Sequence, residues 1–137
     1  MTDRELYLAA KKAAENAYAP FSNFRVGAAL LTQRGDVYLG VNVENSSYGA
    51  TICAERAAVI SAVTAGDREF AKIAIVANEQ KVMPCGICRQ FLYEVAPNLK
   101  IITGSSEDEL EIFELSELLP NGFRLIAEEK PQIKERI

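Results

Sequence analysis

The sequence predicts an α/β fold in which helices cover both faces of a β-sheet. Segments with strand-like and helix-like patterns alternate along the chain, which is typical of such layered folds. The segment Ile73-Ala74-Ile75-Val76-Ala77 is apolar at every position, so it needs cover on both sides. The chain has 137 residues, the usual length of one domain, and we expect a single domain over residues 1–137.

The first part of the chain predicts a helix followed by a hairpin. Residues 2–5 have the Thr-x-x-Glu form of a capping box, and the apolar residues that follow recur at helical spacing. This helix is predicted to run to about Asn16. Residues 24–31 are apolar enough for a largely buried strand, and a turn at residues 33–36 leads to a second strand at residues 37–43. Two strands connected this closely predict an antiparallel hairpin.

The second part alternates helices and strands. An alanine-rich helix is expected to begin at Cys53 and to end near Gly66, because glycine is common just beyond the end of a helix. The other predicted elements are a strand at residues 70–77, a helix at 86–95, strands at 100–103 and 111–114 around a polar turn at 104–108, and one helical turn at 116–120. No structure is predicted for residues 124–137.

All three cysteines lie in two short segments that each open a predicted helix. These segments are Cys53-Ala54-Glu55-Arg56 and Pro84-Cys85-Gly86-Ile87-Cys88-Arg89-Gln90. Three cysteine thiolates can bind Zn²⁺ tetrahedrally and leave the fourth position for water, as in catalytic zinc sites. The sequence therefore predicts one zinc ion per chain, bound by Cys53, Cys85 and Cys88, with Glu55 as a nearby proton carrier.

Two features of these segments would keep the thiols ionised and the metal active. Helix N-termini carry free N–H groups and partial positive charge, which lower cysteine pKa values. Three thiolates and one Zn²⁺ together carry a net negative charge, which would weaken the metal as a Lewis acid. Arg56 is expected to offset this charge by hydrogen bonding to the ligand sulfurs.

Other interpretations of the same residues remain open at this point. An isolated Glu55 would be read as an ordinary carboxylate that favours the helix dipole. A purely structural zinc site needs a fourth ligand; the chain has no histidine, although an Asp or Glu could serve. The pair Cys85 and Cys88 at a helix start is also typical of a thioredoxin-like redox module. That alternative gives no role to Cys53, Glu55 or Arg56, so a zinc hydrolase is favoured.

Charge and composition limit the expected partners and compartment. The chain has 15 Lys and Arg against 19 Asp and Glu, a net charge of −4, which argues against binding to a nucleic-acid backbone. Charged residues near the N-terminus leave no apolar signal core, and no apolar run approaches a membrane-spanning length. We therefore expect no nucleic acid and no membrane as partner, and a cytoplasmic location, which suits an odd number of reduced thiols.

Six segments spread over nearly the whole chain occur in the order known from one enzyme family. They are residues 18–22 (Tyr-Ala-Pro-Phe-Ser), 24–29 (Phe-Arg-Val-Gly-Ala-Ala), 40–45 (Gly-Val-Asn-Val-Glu-Asn), 53–56, 84–90 and 118–120 (Leu-Leu-Pro). By these segments the chain resembles the small, homotetrameric cytidine deaminases that bind zinc through three cysteines. The pattern of three cysteines and a glutamate that is not a ligand is known from zinc deaminases. The resemblance implies a mixed five-stranded sheet in a three-layer α/β/α arrangement.

The resemblance also implies roles for individual residues. Cys53, Cys85 and Cys88 would hold the zinc, and Glu55 would move protons between water, ring N3 and the leaving amine. The residues implied around the substrate are Asn42 and Glu44 at the ribose hydroxyls, Phe24 beside the pyrimidine, the Ala54 N–H and the Pro84 carbonyl at the base, and Phe123 from a neighbouring subunit. Gln90, in the second cysteine segment, is expected with Arg56 to support the metal ligands.

The implied reaction is the hydrolytic deamination of cytidine and 2′-deoxycytidine to uridine and 2′-deoxyuridine with release of ammonia, a step of pyrimidine salvage. Relatives that act on blasticidin S or on nucleotides share the zinc chemistry, so these substrates remain the alternative. Asn42 and Glu44 suit ribose hydroxyls, whereas a phosphate calls for Arg or Lys, and residues 37–53 contain neither. A free nucleoside bound by a homotetramer with shared active sites is therefore expected.

Overall fold

The computed structural model describes residues 1–78 and 80–125. Over these residues the helices and strands are α1 Asp3–Ala14, β1 Val26–Thr32, β2 Val37–Val41, α2 Ala54–Thr64, β3 Phe70–Ala77, α3 Gly86–Val95, β4 Lys100–Ser106, β5 Glu109–Glu114 and α4 Leu115–Leu118. A short 3₁₀ turn at Tyr48–Ala50 lies between β2 and α2. None of the helices in this part of the chain is long and apolar enough to cross a membrane.

The strands form one five-stranded mixed sheet in the order β2-β1-β3-β4-β5 within the described residues. β3 and β4 are parallel, and every other neighbouring pair is antiparallel. The predicted hairpin of β1 and β2 is therefore confirmed, as is the mixed five-stranded sheet that the resemblance implied. β1 and β3 lie inside the sheet, which explains why their sequences are almost continuously apolar.

Helices pack on both faces of this sheet and make three layers. On one face, α1 places Leu6 and Ala10 against strand residues such as Ala29. On the other face, α2, α3 and α4 pack against the alternate strand residues, with Leu30 and Ile73 among them. Successive residues of a strand point to opposite faces, so each inner strand contributes to both cores. The predicted three-layer α/β/α fold is confirmed.

The first helix begins with the predicted capping box. The Thr2 hydroxyl accepts a hydrogen bond from the Glu5 N–H at 3.1 Å, and the Glu5 carboxylate accepts one from the Thr2 N–H at 2.8 Å. The helix ends at Ala14, two residues before the predicted Asn16. The next three N–H groups bond to carbonyls three residues back, so the chain leaves the α-helix through tighter turns.

The two strands of the hairpin are shorter than predicted. The chain turns at Asn23 before β1, and the Asn42 side chain bonds to Val26 at the end of β2. β1 begins at Val26, two residues after the predicted start, since Asn23 has a left-handed backbone with φ of 57°. β2 ends at Val41 rather than at residue 43. Beyond it, the Asn42 side chain bonds to the main chain of β1, and Val43 turns away to pair with Tyr18.

The prediction of a polar turn at residues 104–108 is wrong in length, because the turn in the structure is shorter. β4 continues to Ser106 and β5 starts at Glu109, so only residues 107 and 108 form the turn. β5 is an edge strand with largely exposed side chains, and an exposed strand can be as polar as a loop. The polar residues of this segment therefore indicate exposure to solvent and not a loop. The helical turn predicted at residues 116–120 is present at Leu115–Leu118.

A glycine allows α2 to lie directly on the edge of the sheet. A Cβ atom added to Gly40 of β2 would lie 2.3 Å from the Ala58 nitrogen and 2.4 Å from the Ala54 oxygen of α2. These distances are far below van der Waals contact, and main-chain atoms cannot move aside cheaply. Since α2 follows directly on Cys53 and carries Glu55, this contact fixes where the candidate site lies against the sheet.

We predict that Gly40→Ala lowers the free energy of unfolding by at least about 2 kcal/mol, because α2 must shift away from β2 to admit the methyl group. Urea unfolding followed by circular dichroism measures this change. Gly49→Ala is the matched control, because a Cβ at Gly49 meets no atom within 4 Å. Equal unfolding midpoints for the two variants would contradict the prediction.

Candidate metal and catalytic site

The fold brings the three cysteines together at the starts of two helices. Cys53 is the N-cap of α2 and Cys85 is the N-cap of α3, while Cys88 lies buried in the first turn of α3. Their sulfur atoms all lie within 4.8 Å of one another. The expectation that both cysteine segments open helices is confirmed, and the helix N–H groups there have no carbonyl partners of their own.

The gathered thiols fit a catalytic zinc site. Among residues 1–78 and 80–125, the group of metal-ligating atoms contains these three sulfurs and no carboxylate oxygen. A tetrahedral ion bound by Cys53, Cys85 and Cys88 would therefore keep one position for water. The arrangement favours this over the structural four-ligand site, for which an Asp or Glu would have to join the group.

Arg56 contacts the thiol cluster as the sequence predicted. Its Nη2 donates to the Cys53 sulfur at 3.4 Å and to the Thr51 carbonyl at 3.2 Å. The Arg56 Nε is buried and has no hydrogen-bond partner among the described residues. A buried N–H needs an acceptor, and negatively charged sulfurs beside it can serve as one.

The pKa values of two of the thiols are shifted in opposite directions by their closeness. A hydrogen bond from Cys88 and, after it, the Arg56 side chain lower the pKa of the Cys53 thiol. The pKa of Cys88 is raised, because Cys88 donates that hydrogen bond and is buried. The opposite shifts follow from two sulfurs that lie close together, as the ligands of one cation must.

Glu55 is a buried carboxyl beside the thiols and not a solvated first-turn residue. It is only 5% exposed, although it belongs to the first turn of α2. Burial raises its pKa, and the nearby charge of Cys53 adds to the increase. A carboxyl with a raised pKa holds and releases a proton more readily near neutral pH, which suits a general acid and base.

A cavity of about 200 Å³ opens onto these groups. Its lining includes Cys53, Glu55 and Cys85, together with Phe24 and Asn42. This volume lies below the roughly 300–1,000 Å³ typical of drug-sized ligands, so the cavity suits a small substrate. The structure therefore brings the predicted Phe24 and Asn42 to the same cavity as the cysteines.

Asn42 holds two strands together at the cavity and keeps part of its bonding capacity. Its Oδ1 accepts a hydrogen bond from the Val26 N–H at 2.9 Å, and its Nδ2 donates to the Phe24 carbonyl at 2.8 Å. An amide has two donor hydrogens and two acceptor lone pairs, so one of each remains for a ligand. These bonds also fix Phe24, the residue that follows the turn at Asn23.

Glu44 lies in an adjoining cavity of about 420 Å³ that shares Thr51 with the first. Its carboxylate accepts hydrogen bonds from the Phe21 and Ser22 N–H groups at 2.9 and 3.2 Å and from the Ser22 hydroxyl. The hydrogen bond from Ser22 is the main reason why the pKa of Glu44 is lowered. Glu44 is therefore an ionised acceptor held in place by residues 21 and 22.

The other residues predicted around the substrate and the metal differ in burial and in their hydrogen bonds. Ala54 is fully buried as the first residue of α2, so its N–H has no partner within the helix. The Pro84 side chain is fully buried, and its carbonyl accepts a hydrogen bond from Arg89 at 2.8 Å. Gln90 donates to the Phe123 carbonyl at 3.2 Å, and the Phe123 side chain is exposed. The roles of Pro84, Gln90 and Phe123 stay predictions.

Three residues of the site were missed by sequence reasoning. Ser22, which holds Glu44, lies in the matched segment at residues 18–22, so the match was an available signal. Thr51 lines both cavities, but a threonine in a polar loop carries no signal of its own. Arg89 bonds to two main-chain carbonyls near the cysteines, which depends on the tertiary structure alone.

Comparison with known proteins assigns the chain to a class that agrees with this site. The family model for the "Cytidine and deoxycytidylate deaminase zinc-binding region" matches residues 1–104. The fold and the three-thiol site are those of a zinc deaminase domain. The chain belongs to the cytidine and deoxycytidylate deaminase family.

Relatives and solved structures share most of the chain. Cytidine deaminase from Halalkalibacterium halodurans is 44% identical over 124 residues, which are 88% of this chain and 94% of that protein. The crystal structure of cytidine deaminase from Burkholderia pseudomallei is 47% identical with a TM-score of 0.85, covering 90% of this chain and 100% of that one. The corresponding structure from Mycobacterium tuberculosis is 39% identical with a TM-score of 0.81, covering 90% and 98%.

Proposed function

We propose that this protein is a zinc-dependent cytidine deaminase that converts cytidine and 2′-deoxycytidine to uridine and 2′-deoxyuridine and releases ammonia. The observation that carries the proposal is the cluster of three thiols beside a small cavity that Glu55 also lines. The relatives named cytidine deaminase from several bacteria support it. A cytoplasmic location and a single domain over residues 1–137 remain predictions from the sequence.

Glu55 carries the protons in this proposal. When bound, zinc supplies a Lewis acid that makes a water molecule acidic near neutral pH. Glu55 takes up the proton from that water and delivers it to N3 of the pyrimidine as C4 is attacked. Glu55 then takes the remaining proton from the new C4 hydroxyl and gives it to the exocyclic amine, so that the C4–N bond breaks and ammonia leaves while C4 keeps the oxygen as a carbonyl. A raised pKa lets one carboxyl do both, because it is neither too weak a base nor too weak an acid.

The rest of the cavity holds the nucleoside. Phe24 flanks the pyrimidine, and the N–H of Ala54, which has no partner within its helix, is available to the base edge. Asn42 offers its remaining donor and acceptor to a ribose hydroxyl, and Glu44 in the adjoining cavity offers an ionised acceptor. In our proposal the base occupies the smaller cavity and the sugar extends past Thr51 into the larger one.

The redox alternative is disfavoured by the position of Cys53. A dithiol module needs Cys85 and Cys88 to pair with each other, whereas here a third sulfur lies within 4.8 Å of both. Arg56 also donates a hydrogen bond to that third sulfur, and the buried Glu55 lines the same cavity; neither has a role in disulfide exchange. The three-thiol arrangement is what a metal ion requires.

We predict that Glu55→Gln lowers kcat at least about a hundredfold, because the amide cannot accept and return protons. The variant should keep its fold and one equivalent of zinc, since Glu55 is not assigned to the metal. Steady-state kinetics and metal analysis of the same sample measure both. Cys53→Ala is the companion variant and should lose zinc. Activity above about a tenth of wild type in Glu55→Gln would contradict the assigned role.

We predict higher kcat/KM for cytidine and 2′-deoxycytidine than for CMP, dCMP, free cytosine, blasticidin S or a short cytosine-containing strand. The physical reason is that Asn42 and Glu44 suit sugar hydroxyls, and among residues 1–78 and 80–125 no basic side chain lines either cavity to hold a phosphate. All compounds are assayed under one condition for ammonia release. Higher kcat/KM for CMP or dCMP than for both nucleosides would overturn the assignment.

A matched pair of variants tests Glu44 within this assay. Glu44→Ala should reduce the preference for the nucleoside over free cytosine. Ser22→Ala removes one hydrogen bond to the carboxylate but leaves the carboxylate in place, so it should keep most of that preference. Equal loss in both variants would mean that the shape of residues 21 and 22 matters, and not the acceptor itself.

We also propose that the protein is a homotetramer in which Phe123 completes the site of a neighbouring subunit. Phe123 is 61% exposed here, so its ring is available for a second chain to cover, and aromatic residues are enriched at such interfaces. Light scattering should give the mass of four chains. A fully active monomer in solution would contradict the proposal.

Coexpression of two inactive variants tests whether the site is shared. Glu55→Gln lacks the proton carrier and Phe123→Ala lacks the aromatic side chain, so each alone should be impaired. In a mixed oligomer, a Phe123→Ala chain keeps Glu55 and receives Phe123 from its neighbour, and activity should return in part. Activity of the mixture that is no more than the average of the two variants would show that Phe123 does not act across subunits.

A further inference from the structure

Arg89 connects two separate segments of main chain beside the thiol cluster. Its Nε donates to the Pro84 carbonyl at 2.8 Å and its Nη1 donates to the Leu118 carbonyl at 2.9 Å. Both distances are typical of good hydrogen bonds, and the charged donor strengthens them. The guanidinium is planar, so the two bonds fix the relative positions of both segments.

The hydrogen bond from Arg89 to the Pro84 carbonyl holds a buried segment that has no regular secondary structure. Pro84 is fully buried and lies in the segment 81–85, which has no regular secondary structure. A buried carbonyl there needs a hydrogen-bond partner. The N–H of Arg89 also bonds to the carbonyl of Cys85 at 2.9 Å. Arg89 therefore holds the carbonyls of both Pro84 and Cys85, on either side of the Cys85 side chain.

Cys85 needs such support more than the other two ligands. Cys88 lies within a helix and is fully buried, and Cys53 receives a hydrogen bond from Arg56. The Cys85 side chain is exposed, and it precedes the helix. Cys85 is the most exposed of the three, so the position of its sulfur depends more on how firmly the main chain is held.

The bond to Leu118 gives this support a fixed base. Leu118 is the last residue of α4, where helix carbonyls have no partner within the helix. α4 begins with Leu115, which is fully buried in the core that α2 and α3 share. Through Arg89, the main chain around Cys85 is thus attached to the packed core and not only to its own loop.

We propose that Arg89 is a positioning residue of the metal site, which sets the place of the Cys85 sulfur before the metal binds and so raises zinc affinity. The inference rests on the ligand set of the proposed function. A positioning role for Arg89 can be distinguished from a general stabilising role. A merely structural Arg89 would affect unfolding alone, whereas a positioning Arg89 also affects metal binding by the folded protein.

The test measures metal binding in Arg89→Gln and Arg89→Lys. Zinc transfer to a chromophoric chelator gives the affinity, and the absorption bands of the Co²⁺-substituted protein report the geometry of the thiolates. Arg89→Gln should bind zinc about 10–100-fold more weakly, the range found when partners of metal ligands are removed, with altered cobalt bands. The zinc affinity of Arg89→Lys should lie between those of wild type and Arg89→Gln, because an ammonium keeps the charge but cannot reproduce the two fixed N–H directions.

Arg68→Gln is the matched control. Arg68 donates from Nη1 to the carbonyls of Val63 and Asp67 at the end of α2 that is distant from Cys53. This variant should lower the thermal midpoint but leave zinc affinity and the cobalt spectrum unchanged. If Arg89→Gln does not fold, Arg89→Lys decides, and wild-type affinity in that variant overturns the proposal.

Wild-type affinity and spectrum in a folded Arg89→Gln would equally overturn it. Cys85→Ser separates this failure from failure of the ligand assignment. If Cys85→Ser keeps zinc as tightly as wild type, the ligand set is wrong. If Cys85→Ser loses zinc while Arg89→Gln keeps it, the ligand set stands and Arg89 has no positioning role.

Discussion

The site depends on the meeting of two helix N-termini. Three thiols and a carboxyl in one partly buried place would repel one another once ionised, and burial alone would keep them protonated. The first turns of α2 and α3 bring free N–H groups and partial positive charge to that place, and Arg56 adds a full positive charge. The rest of the fold holds these two helix starts together, through the sheet that both helices cover.

Much of this arrangement could be predicted because its signals are local. A capping box, alanine spacing and a cysteine at each helix start define where helices begin, and the apolar run of β3 defines a buried strand. Elements whose form depends on distant partners could not be predicted as well. Residues 104–106 are polar yet belong to β4, because β5 pairs with them, and the sequence does not specify that pairing.

Residue types near the cysteines were easier to predict than the directions of their side chains. Successive helix residues point about 100° apart, so the sequence alone did not show which neighbours Gln90 has. In the structure its side chain donates a hydrogen bond to the Phe123 carbonyl. Asn42 illustrates the same limit, since its bonds to Phe24 and Val26 require the strands to be in place. Chemistry could be predicted from residue types, whereas geometry required the folded chain.

The edge strand β5 restricts how copies of the protein can associate. Glu109, Glu111 and Glu114 are exposed along it, and β5 is the last strand of the sheet. A second copy that tried to extend the sheet by pairing with this edge would bring carboxylates opposite carboxylates, which is unfavourable. Continuous sheets that grow from chain to chain are therefore blocked at this side, and closed assembly through other surfaces is left as the route to an oligomer.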